Sequence, residues 1–261
     1  MKKIGFIGMG NMARAIVRGV LAAGAAEASD LSAYALHFDR LSAFAAETGI
    51  APCRTLDELL ERSDTVVVAV KPYVVEQVLK QAGDRLRGKA LLSVAAGWPL
   101  ERYRPLLDES VRVQTLMPNT PCSVGEGMLL FEEANTLTAE EHEAALKLFH
   151  ALGEVEILPA DKMNAGMAIA GCGPAYAAMV IEALADAGVK YGLSRPQAYR
   201  LASQTLVGTG RLQLETGMHP GALKDAVCSP AGTTIRGVEA LEQHGLRAAM
   251  MAAVQAVVER G

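Results

Sequence analysis

The sequence lacks the features that mark several large classes of protein. It has 4 cysteines among 261 residues, with no C-x-x-C spacing and no accompanying cluster of histidines. The four are Cys53, Cys122, Cys172 and Cys228. This scatter argues against a zinc site and against a disulfide framework, so we expect no bound metal. Reduced thiols fit a cytoplasmic location best.

Basic charge and long apolar runs are also missing. The formal net charge is -4 at pH 7, which gives no electrostatic footprint for nucleic acid or for an anionic membrane surface. The longest uncharged stretch covers residues 165–181, and Gly171-Cys172-Gly173-Pro174 interrupts it. We therefore expect a buried helix there and no membrane span. Glycines break the apolar N-terminus, which argues against an export signal.

The first half of the chain alternates between short apolar runs and segments with helical periodicity. Strands are predicted at 3–7, 31–36, 65–70, 90–94 and 111–116, and helices at 12–21, 41–48, 74–82 and 100–107. Strands that are apolar on both faces and alternate with helices predict a parallel sheet covered on both sides. The fold class is therefore α/β, with an N-terminal Rossmann-like, doubly wound sheet.

The chain becomes all-helical further on. Strands are predicted at 128–131 and 155–158, with a helix at 139–152 between them, and beyond Pro159 we expect four to six helices. The predicted domains are therefore 1–159, which binds a dinucleotide, and 160–261, which is helical. The segments 176–188 and 199–214 are apolar nearly all round, as in helices buried on several sides. A large core would explain this, but we favour a subunit interface and a homodimer at least.

A glycine turn follows the first strand and opens the first helix. Gly8-Met9-Gly10-Asn11-Met12-Ala13 matches G-x-G-x-x-A in the strand-turn-helix context that a dinucleotide requires. Gly8 permits the tight turn, and Gly10 lets a phosphate approach the backbone. Asn11 and Met12 begin the helix whose free N–H groups would bind the pyrophosphate.

The acid that usually holds an NAD ribose is absent from the end of the second strand. The chain reads Tyr34-Ala35-Leu36-His37-Phe38-Asp39-Arg40 there. His37 and Arg40 could meet a 2′-phosphate, so we expect NADPH, with NADH as the alternative. Both residues could equally be solvated at the start of a helix.

Three further segments are expected at the same edge of the sheet, where ligands collect. They supply the remaining predicted cofactor residues, which are Ala69, Val70, Lys71, Pro72, Ala96, Gly97 and Asn119. The small residues would admit a nicotinamide. Asn119 could bond its carboxamide or cap a turn.

Six small residues, 229–234, precede the apolar stripe of Ile235, Val238 and Leu241. A helix that begins without bulky side chains can bind an anion through its free N–H groups. Serine and threonine at this position can also be ordinary helix caps. From the residues alone, both interpretations stay open.

Several stretches together resemble one family, the pyrroline-5-carboxylate reductases. They are GFIGMGNMA, AVKP, SVAAG, MPNTP, GCGPAY and HPGALKDAVCSPAGTTIRGVEALE, spread over nearly the whole chain and in the family's order. The resemblance implies reduction of 1-pyrroline-5-carboxylate to L-proline by hydride transfer from NAD(P)H. It also implies a helical dimerisation domain, sites shared between subunits, and assembly into larger rings.

The resemblance also implies roles for residues of the last stretch. The cyclic imino acid substrate would be bound by Val227, Ser229, Gly232, Thr233 and Thr234, with Thr234 as the catalytic partner of the ring nitrogen. Three positions depart from the family pattern: Thr115 stands for an arginine, Cys172 for a serine, and Ala231 for a glycine. We expect the last two to cost little, because small residues are kept.

Two rival interpretations come from other chemistry. A β-hydroxyacid dehydrogenase would need a general acid, typically a lysine with an asparagine one helical turn later, but Asn164 follows Lys162 by only two residues. A related imine reductase belongs to the same group of rivals. A non-catalytic dinucleotide-binding regulator would have no need of Thr234.

Overall fold

The computed structural model describes residues 3–259 and divides the chain into two compact units. The first unit ends at Cys172, and the second begins at Gly173. Residues 160–172 thus cluster with the first unit. The functional boundary after residue 159 stays a prediction.

The first unit contains an eight-stranded sheet. Its strands are β1 (Ile4–Ile7), β2 (Leu31–Tyr34), β3 (Ala51–Cys53), β4 (Thr65–Val68), β5 (Ala90–Ser93), β6 (Arg112–Met117), β7 (Gly127–Glu132) and β8 (Gly153–Leu158). The order is β3-β2-β1-β4-β5-β6-β7-β8. The first six strands are parallel, which confirms the predicted parallel sheet and its five predicted strands. Strand β7 runs antiparallel to β6, and β8 pairs in parallel with β7.

Helices cover both faces of this sheet, which confirms the doubly wound fold. The helices of the unit are α1 (Asn11–Ala22), α2 (Phe38–Thr48), α3 (Leu56–Arg62), α4 (Pro72–Ala82), α5 (Leu100–Tyr103), α6 (Ala139–His150) and α7 (Met163–Gly166). Successive strand residues enter opposite cores: Phe6 packs with α1, α2 and α6, and Ile7 packs with α3, α4 and α5. This alternation explains why the strands are apolar without interruption.

Two elements of the sheet region escaped the sequence analysis. Strand β3 contains Pro52, which disfavours a central strand but is tolerated at the edge where β3 lies. Helix α3 is short and begins at the cap Thr55, whose Oγ1 accepts the N–H of Glu58 at 3.1 Å. The helix expected at 100–107 also breaks, because Pro105 lies in a 3₁₀ turn that follows α5.

The second unit is all-helical among the residues described. Its helices are α8 (Gly173–Lys190), α9 (Arg195–Thr216), α10 (Pro220–Ala226), α11 (Thr233–Gln243) and α12 (Leu246–Val258). Helices α8 and α9 pack closely, since a β-carbon on Gly188 would lie 3.3 Å from that of Ala198. Between Pro159 and residue 259 there are six α-helices, α7 to α12, which agrees with the expected four to six.

The expectation of a buried helix at 165–181 is wrong for the single chain. The segment is divided into α7, a π-helical turn (Met167–Gly171) that Cys172 closes by donating its N–H to the Met167 carbonyl, and α8. Only Ala185 is buried along α8, and Met179 is 68% exposed. The apolar character of α8 is therefore presented to solvent in one chain.

Helix α9 continues this exposed apolar surface, with only Ala198 and Ala202 buried. By length and composition alone, Ala160–Lys190 is apolar enough to cross a membrane, with 6% of the tested window buried. The π-helical turn divides this stretch, and α8 packs on α9. Exposed apolar helices of this kind mark a protein–protein interface.

One backbone feature of the second unit overturns an expectation. Ala231 has φ +57°, and it is the only non-glycine residue with a positive φ in the described part of the chain. The left-handed region costs a residue with a β-carbon about 1 to 2 kcal/mol. The alanine at this position is therefore costlier than its small size suggested.

We predict that Leu201→Glu on α9 breaks self-association. Leu201 is 58% exposed in the single chain, and a carboxylate buried in an apolar interface costs several kcal/mol. Sedimentation velocity should show a shift toward single chains. The control Val124→Glu, at an exposed apolar residue of the first unit, should leave the mass unchanged. A dimer that persists in Leu201→Glu would contradict an interface on α9.

We predict that Ala231→Gly stabilises the protein by about 0.5 to 1 kcal/mol, because relief of the left-handed strain exceeds the added freedom of the unfolded chain. Ala240→Gly, inside α11, should instead destabilise by about 0.5 to 1 kcal/mol. Urea unfolding at equal subunit concentrations measures both. Equal losses from the two substitutions would refute strain at Ala231.

Candidate active site

The turn between β1 and α1 is shaped by Gly8. Its φ is +95°, and its N–H donates to the carbonyl of Tyr34 at 2.8 Å. A β-carbon at Gly8 would stand 2.7 Å from the carbonyl oxygen of Ala69 and 2.9 Å from Cγ1 of Val70. Only glycine allows β1 and the end of β4 to approach this closely.

The start of α1 is open. Gly10 is the N-cap and provides no side-chain cap, and a β-carbon there would meet nothing within 4 Å. The N–H groups of Asn11, Met12 and Ala13 have no protein acceptor among residues 3–259. Ala13 is fully buried, so α1 packs tightly on the sheet behind the turn. The cradle fits a phosphate group, which would bind the free amides and the positive end of the helix dipole.

The first turn of α2, the helix after β2, is linked to this turn by Arg14, which sequence reasoning missed. Its guanidinium donates to the carbonyl of Met9 at 3.2 Å and to the carbonyl of Arg40 at 3.4 Å. His37 is the N-cap residue of α2, and Arg40 lies in its first turn; both are exposed. Arg40, one of the two residues expected at a 2′-phosphate, is therefore linked to the glycine turn, and His37 precedes the same helix.

Strand β4 lies next to β1 in the sheet, and β5 lies next to β4, so that their ends share one edge, as predicted. Lys71 is the exposed N-cap of α4, and Pro72 is its first residue. Ala96 and Gly97 are exposed in the loop after β5, where Gly97 has φ +71°. The carboxyl ends of three adjacent strands thus form one edge lined by small residues and backbone.

Buried side chains hold the loop after β5. The N–H of Ala95 donates to Ser93 Oγ at 3.3 Å, and Ser93 Oγ also bonds the hydroxyl of Tyr103. Burial raises the pKa of Tyr103 to about 12, so the phenol stays protonated. On the far side of the loop, the N–H of Leu100 donates to the carboxylate of Glu132 at 2.9 Å.

Thr115 belongs to the same hydrogen-bond network, through Glu132. Glu132 is 2% exposed, and its carboxylate also accepts the hydroxyl of Thr115. The residue that replaces the family's arginine is thus buried and hydrogen-bonded to an acid. Glu132, a charged residue at the end of an apolar strand, was the signal that sequence reasoning overlooked.

Asn119 has both ends of its side chain occupied. Its Oδ1 accepts the N–H of Met128 at 2.9 Å, and its Nδ2 donates to the carbonyl of Ala170 at 3.0 Å. The side chain provides no cap to the 3₁₀ turn that follows it. It joins the start of β7 to the π-helical turn, and a contact with a cofactor stays a prediction.

The start of α11, in the second unit, is a separate candidate site for an anion. Gly232 is the N-cap without a side-chain cap, and its own N–H donates to the carbonyl of Ser229 at 3.0 Å. A β-carbon on Gly232 would lie 2.4 Å from Ser229 Oγ. The glycine is therefore needed for the turn, and the free amides begin at Thr233.

The small polar residues here are exposed and unused. Within residues 3–259, the hydroxyls of Ser229, Thr233 and Thr234 and the N–H groups of the two threonines have no hydrogen-bond partner. Val227 is exposed at the end of α10. The ordinary capping interpretation therefore does not apply, because no side chain caps this helix.

The acid–base side chains of His219, His244 and Lys162 form contacts within their own segments. The imidazole of His219 caps α10 by accepting the N–H of Gly221 at 3.0 Å, and His244 Nδ1 lies 2.8 Å from the Ala240 carbonyl oxygen. Lys162 belongs to a 3₁₀ turn and pairs with Asp161 at 3.1 Å. A lysine that acts as the acid in ketone reduction would lie on the first long helix of the second domain, and α8 does not contain Lys162.

Comparisons with known proteins identify both units. A family model described as "Pyrroline-5-carboxylate reductase dimerisation" matches residues 160–261, and one described as "NADP oxidoreductase coenzyme F420-dependent" matches residues 3–97. Pyrroline-5-carboxylate reductase of Treponema pallidum is 44% identical over 98% of this chain and 98% of its own length. The Escherichia coli enzyme is 38% identical over 99% and 97%.

A solved structure agrees with these relatives. Pyrroline carboxylate reductase of Plasmodium falciparum, with NADP bound, matches with a TM-score of 0.89 at 30% identity, covering 99% of this chain and 96% of its own. Full-length similarity at this level extends over the sheet, the glycine turn and the helical unit alike. This chain therefore belongs to the pyrroline-5-carboxylate reductase family.

Proposed function

We propose that this enzyme reduces 1-pyrroline-5-carboxylate to L-proline with NADPH as the cofactor. Family membership supports the reaction, and the NADP bound in the Plasmodium falciparum structure supports the cofactor. The observation that carries the proposal is that α1 and α11 each follow a glycine N-cap and have no side-chain cap. Each suits one anion of the reaction, the pyrophosphate or the substrate carboxylate.

The cofactor residues are assigned to the edge of the sheet. The amides of Asn11 and Met12 hold the pyrophosphate behind Gly8, Met9 and Gly10, while His37 and Arg40 meet the 2′-phosphate. Residues 69–72, Ala96, Gly97 and Asn119 would hold the nicotinamide. The bound nicotinamide supplies a hydride.

The substrate residues are assigned to the start of α11. The carboxylate lies against the amides and hydroxyls at Thr233 and Ser229, where Gly232 keeps the turn narrow and Val227 contacts the ring. Thr234 hydrogen-bonds the ring nitrogen. A carboxylate is favoured there by free N–H donors and by the helix dipole.

This chemistry does not require a strong acid in the protein. A cyclic imine is basic enough to be protonated on binding, and the iminium carbon is already electrophilic. The chain then has to orient the substrate and stabilise its charge, which raises the effective concentration of the reacting groups. Thr234, a neutral hydroxyl, is sufficient for that purpose.

The assembly is a homo-oligomer built through the helical unit. A dimerisation model covers that unit, and α8 and α9 expose apolar side chains in the single chain. We propose further that dimers associate into a larger ring, that the enzyme acts in the cytoplasm, and that it binds neither nucleic acid nor membrane. The net charge of -4 supports the last point.

The direct test is oxidation of NADPH by the purified enzyme with 1-pyrroline-5-carboxylate, followed by chromatographic detection of proline. Two reactions serve for comparison. One replaces NADPH with NADH, and the other offers a β-hydroxyacid together with the oxidised cofactor. Tight NADPH binding without turnover would favour the regulatory alternative, and turnover of the hydroxyacid alone would favour the dehydrogenase.

We predict that Gly10→Ala separates binding from folding. The added methyl has nothing within 4 Å, so the free energy of unfolding should change by less than about 0.5 to 1 kcal/mol. NADPH affinity should fall at least about tenfold, because the methyl occupies the approach of the phosphate. Calorimetric titration measures the affinity. Unchanged affinity would remove the glycine turn from the phosphate site.

We predict that Thr234→Ala lowers kcat by about 10- to 100-fold, which corresponds to a lost hydrogen bond to a charged group. NADPH affinity should stay within about twofold, since Thr234 is assigned to the substrate. Thr234→Ser should restore most of the activity, and Thr48→Ala, in α2, should leave it unaltered. Full activity in Thr234→Ala would exclude the residue from catalysis.

A further inference from the structure

We infer that Arg54 is a specificity-determining residue for the 2′-phosphate of NADPH, acting together with Arg40. The inference rests on the proposed use of NADPH and adds a residue from a strand that the sequence analysis did not detect. Arg54 directly follows β3, the strand at the edge of the sheet.

The register of the sheet puts Arg54 at the correct level. Strand β3 pairs in parallel with β2, with Cys53 opposite Tyr34. Arg54 therefore emerges from the sheet one residue beyond this pair, at the edge where β2 leads into His37 and Arg40. In dinucleotide folds, this edge is where the ribose nearest the adenine lies.

An aromatic ring holds the guanidinium in place. The Arg54 guanidinium carbon lies 4.3 Å from the centroid of the Phe38 ring, and Phe38 packs partly buried against the core of the first unit. Phe38 is the first residue of α2 and directly follows His37. Stacking covers one face of the guanidinium and leaves its N–H donors, which lie in the plane, available to a phosphate.

The main chain of Arg54 is fixed independently of its side chain. Its N–H donates to Glu58 Oε2 at 2.8 Å, and Glu58 Oε1 lies 3.6 Å from the guanidinium of Arg62. Among residues 3–259, no acceptor takes a hydrogen bond from the guanidinium of Arg54. The ion pair of the nearby carboxylate is with Arg62, and the guanidinium of Arg54 forms no ion pair within the part of the chain that the structure describes.

Neighbouring arginines show the contrast. Arg18 also stacks on a phenylalanine, at 5.4 Å from the Phe44 ring, but it pairs with Glu47 at 2.8 Å. Arg14 uses its donors on two carbonyl groups. Arg54 combines a fixed aromatic platform with free donors, which is the arrangement that binds a phosphate through two parallel hydrogen bonds.

The test uses two ligands that differ only in the 2′-phosphate, adenosine 2′,5′-bisphosphate and adenosine 5′-monophosphate, titrated calorimetrically into the full-length protein. We expect Arg54→Gln to weaken the bisphosphate at least about tenfold and the monophosphate less than about twofold. The ratio of kcat/KM for NADPH to that for NADH should fall by a similar factor. Arg54→Lys should fall between, since it keeps the charge without the planar donors.

The matched control is Arg18→Gln, which removes an arginine stacked on phenylalanine but already ion-paired; it should alter neither affinity. Unchanged bisphosphate affinity in folded Arg54→Gln would overturn the inference, and so would an equal loss for both ligands. If Arg54→Gln fails to fold, an unaltered ligand ratio in Arg54→Lys overturns it. If Arg40→Gln loses selectivity and Arg54→Gln keeps it, the proposed function stands and Arg54 has no role in it. A wild-type protein that binds the two ligands with equal affinity would refute the use of NADPH itself.

Discussion

Main-chain N–H groups without a protein partner are the feature on which the proposed chemistry depends. An α-helix leaves its first amides unbonded, and most helices satisfy some of them with a serine, threonine or aspartate cap. Helices α3 and α6 do so through Thr55 and Thr138. Helices α1 and α11 follow the N-cap residues Gly10 and Gly232, which have no side chain to accept these N–H groups. The N-cap residues therefore have no side chain at the two helix starts where anions are expected to bind.

The rest of the first unit keeps the binding edge rigid. Gly8 lets the first turn touch the end of β4, and Arg14 ties that turn to α2. Glu132 reaches from β7 to the loop after β5 and bonds Thr115 on the way. A buried acid with two donors is expensive to desolvate but gives its neighbours a defined position. The contacts that hold this edge thus join residues from several segments and belong to no single sequence motif.

Much of this architecture could be predicted from patterns that act locally. Unbroken apolar strands, the glycine turn and the change to helix after Pro159 depend on residues close together in sequence, and the structure bears them out. Strand β3 was missed because its three residues include a proline, and the edge position that tolerates Pro52 is a tertiary property.

The errors at the binding residues have a similar cause. The bonds of Asn119 and Glu132 join positions far apart in the chain, so no spacing revealed them. The positive φ of Ala231 depends on the turn around it, and residue size did not indicate it. The helix over 165–181 was expected to be buried because apolar composition cannot distinguish a core from an interface. Family resemblance supplied the chemistry that periodicity could not.

The two borders of the sheet bear on how copies of the chain can meet. At one border, Pro52 removes a donor from a strand of three residues; at the other, β8 presents the exposed carboxylates of Glu154 and Glu156. Proline and charge on border strands hinder the addition of a foreign strand. Association by strand addition, which leads to fibrils, is thereby disfavoured. Association is left to the helices, where it can form a closed oligomer.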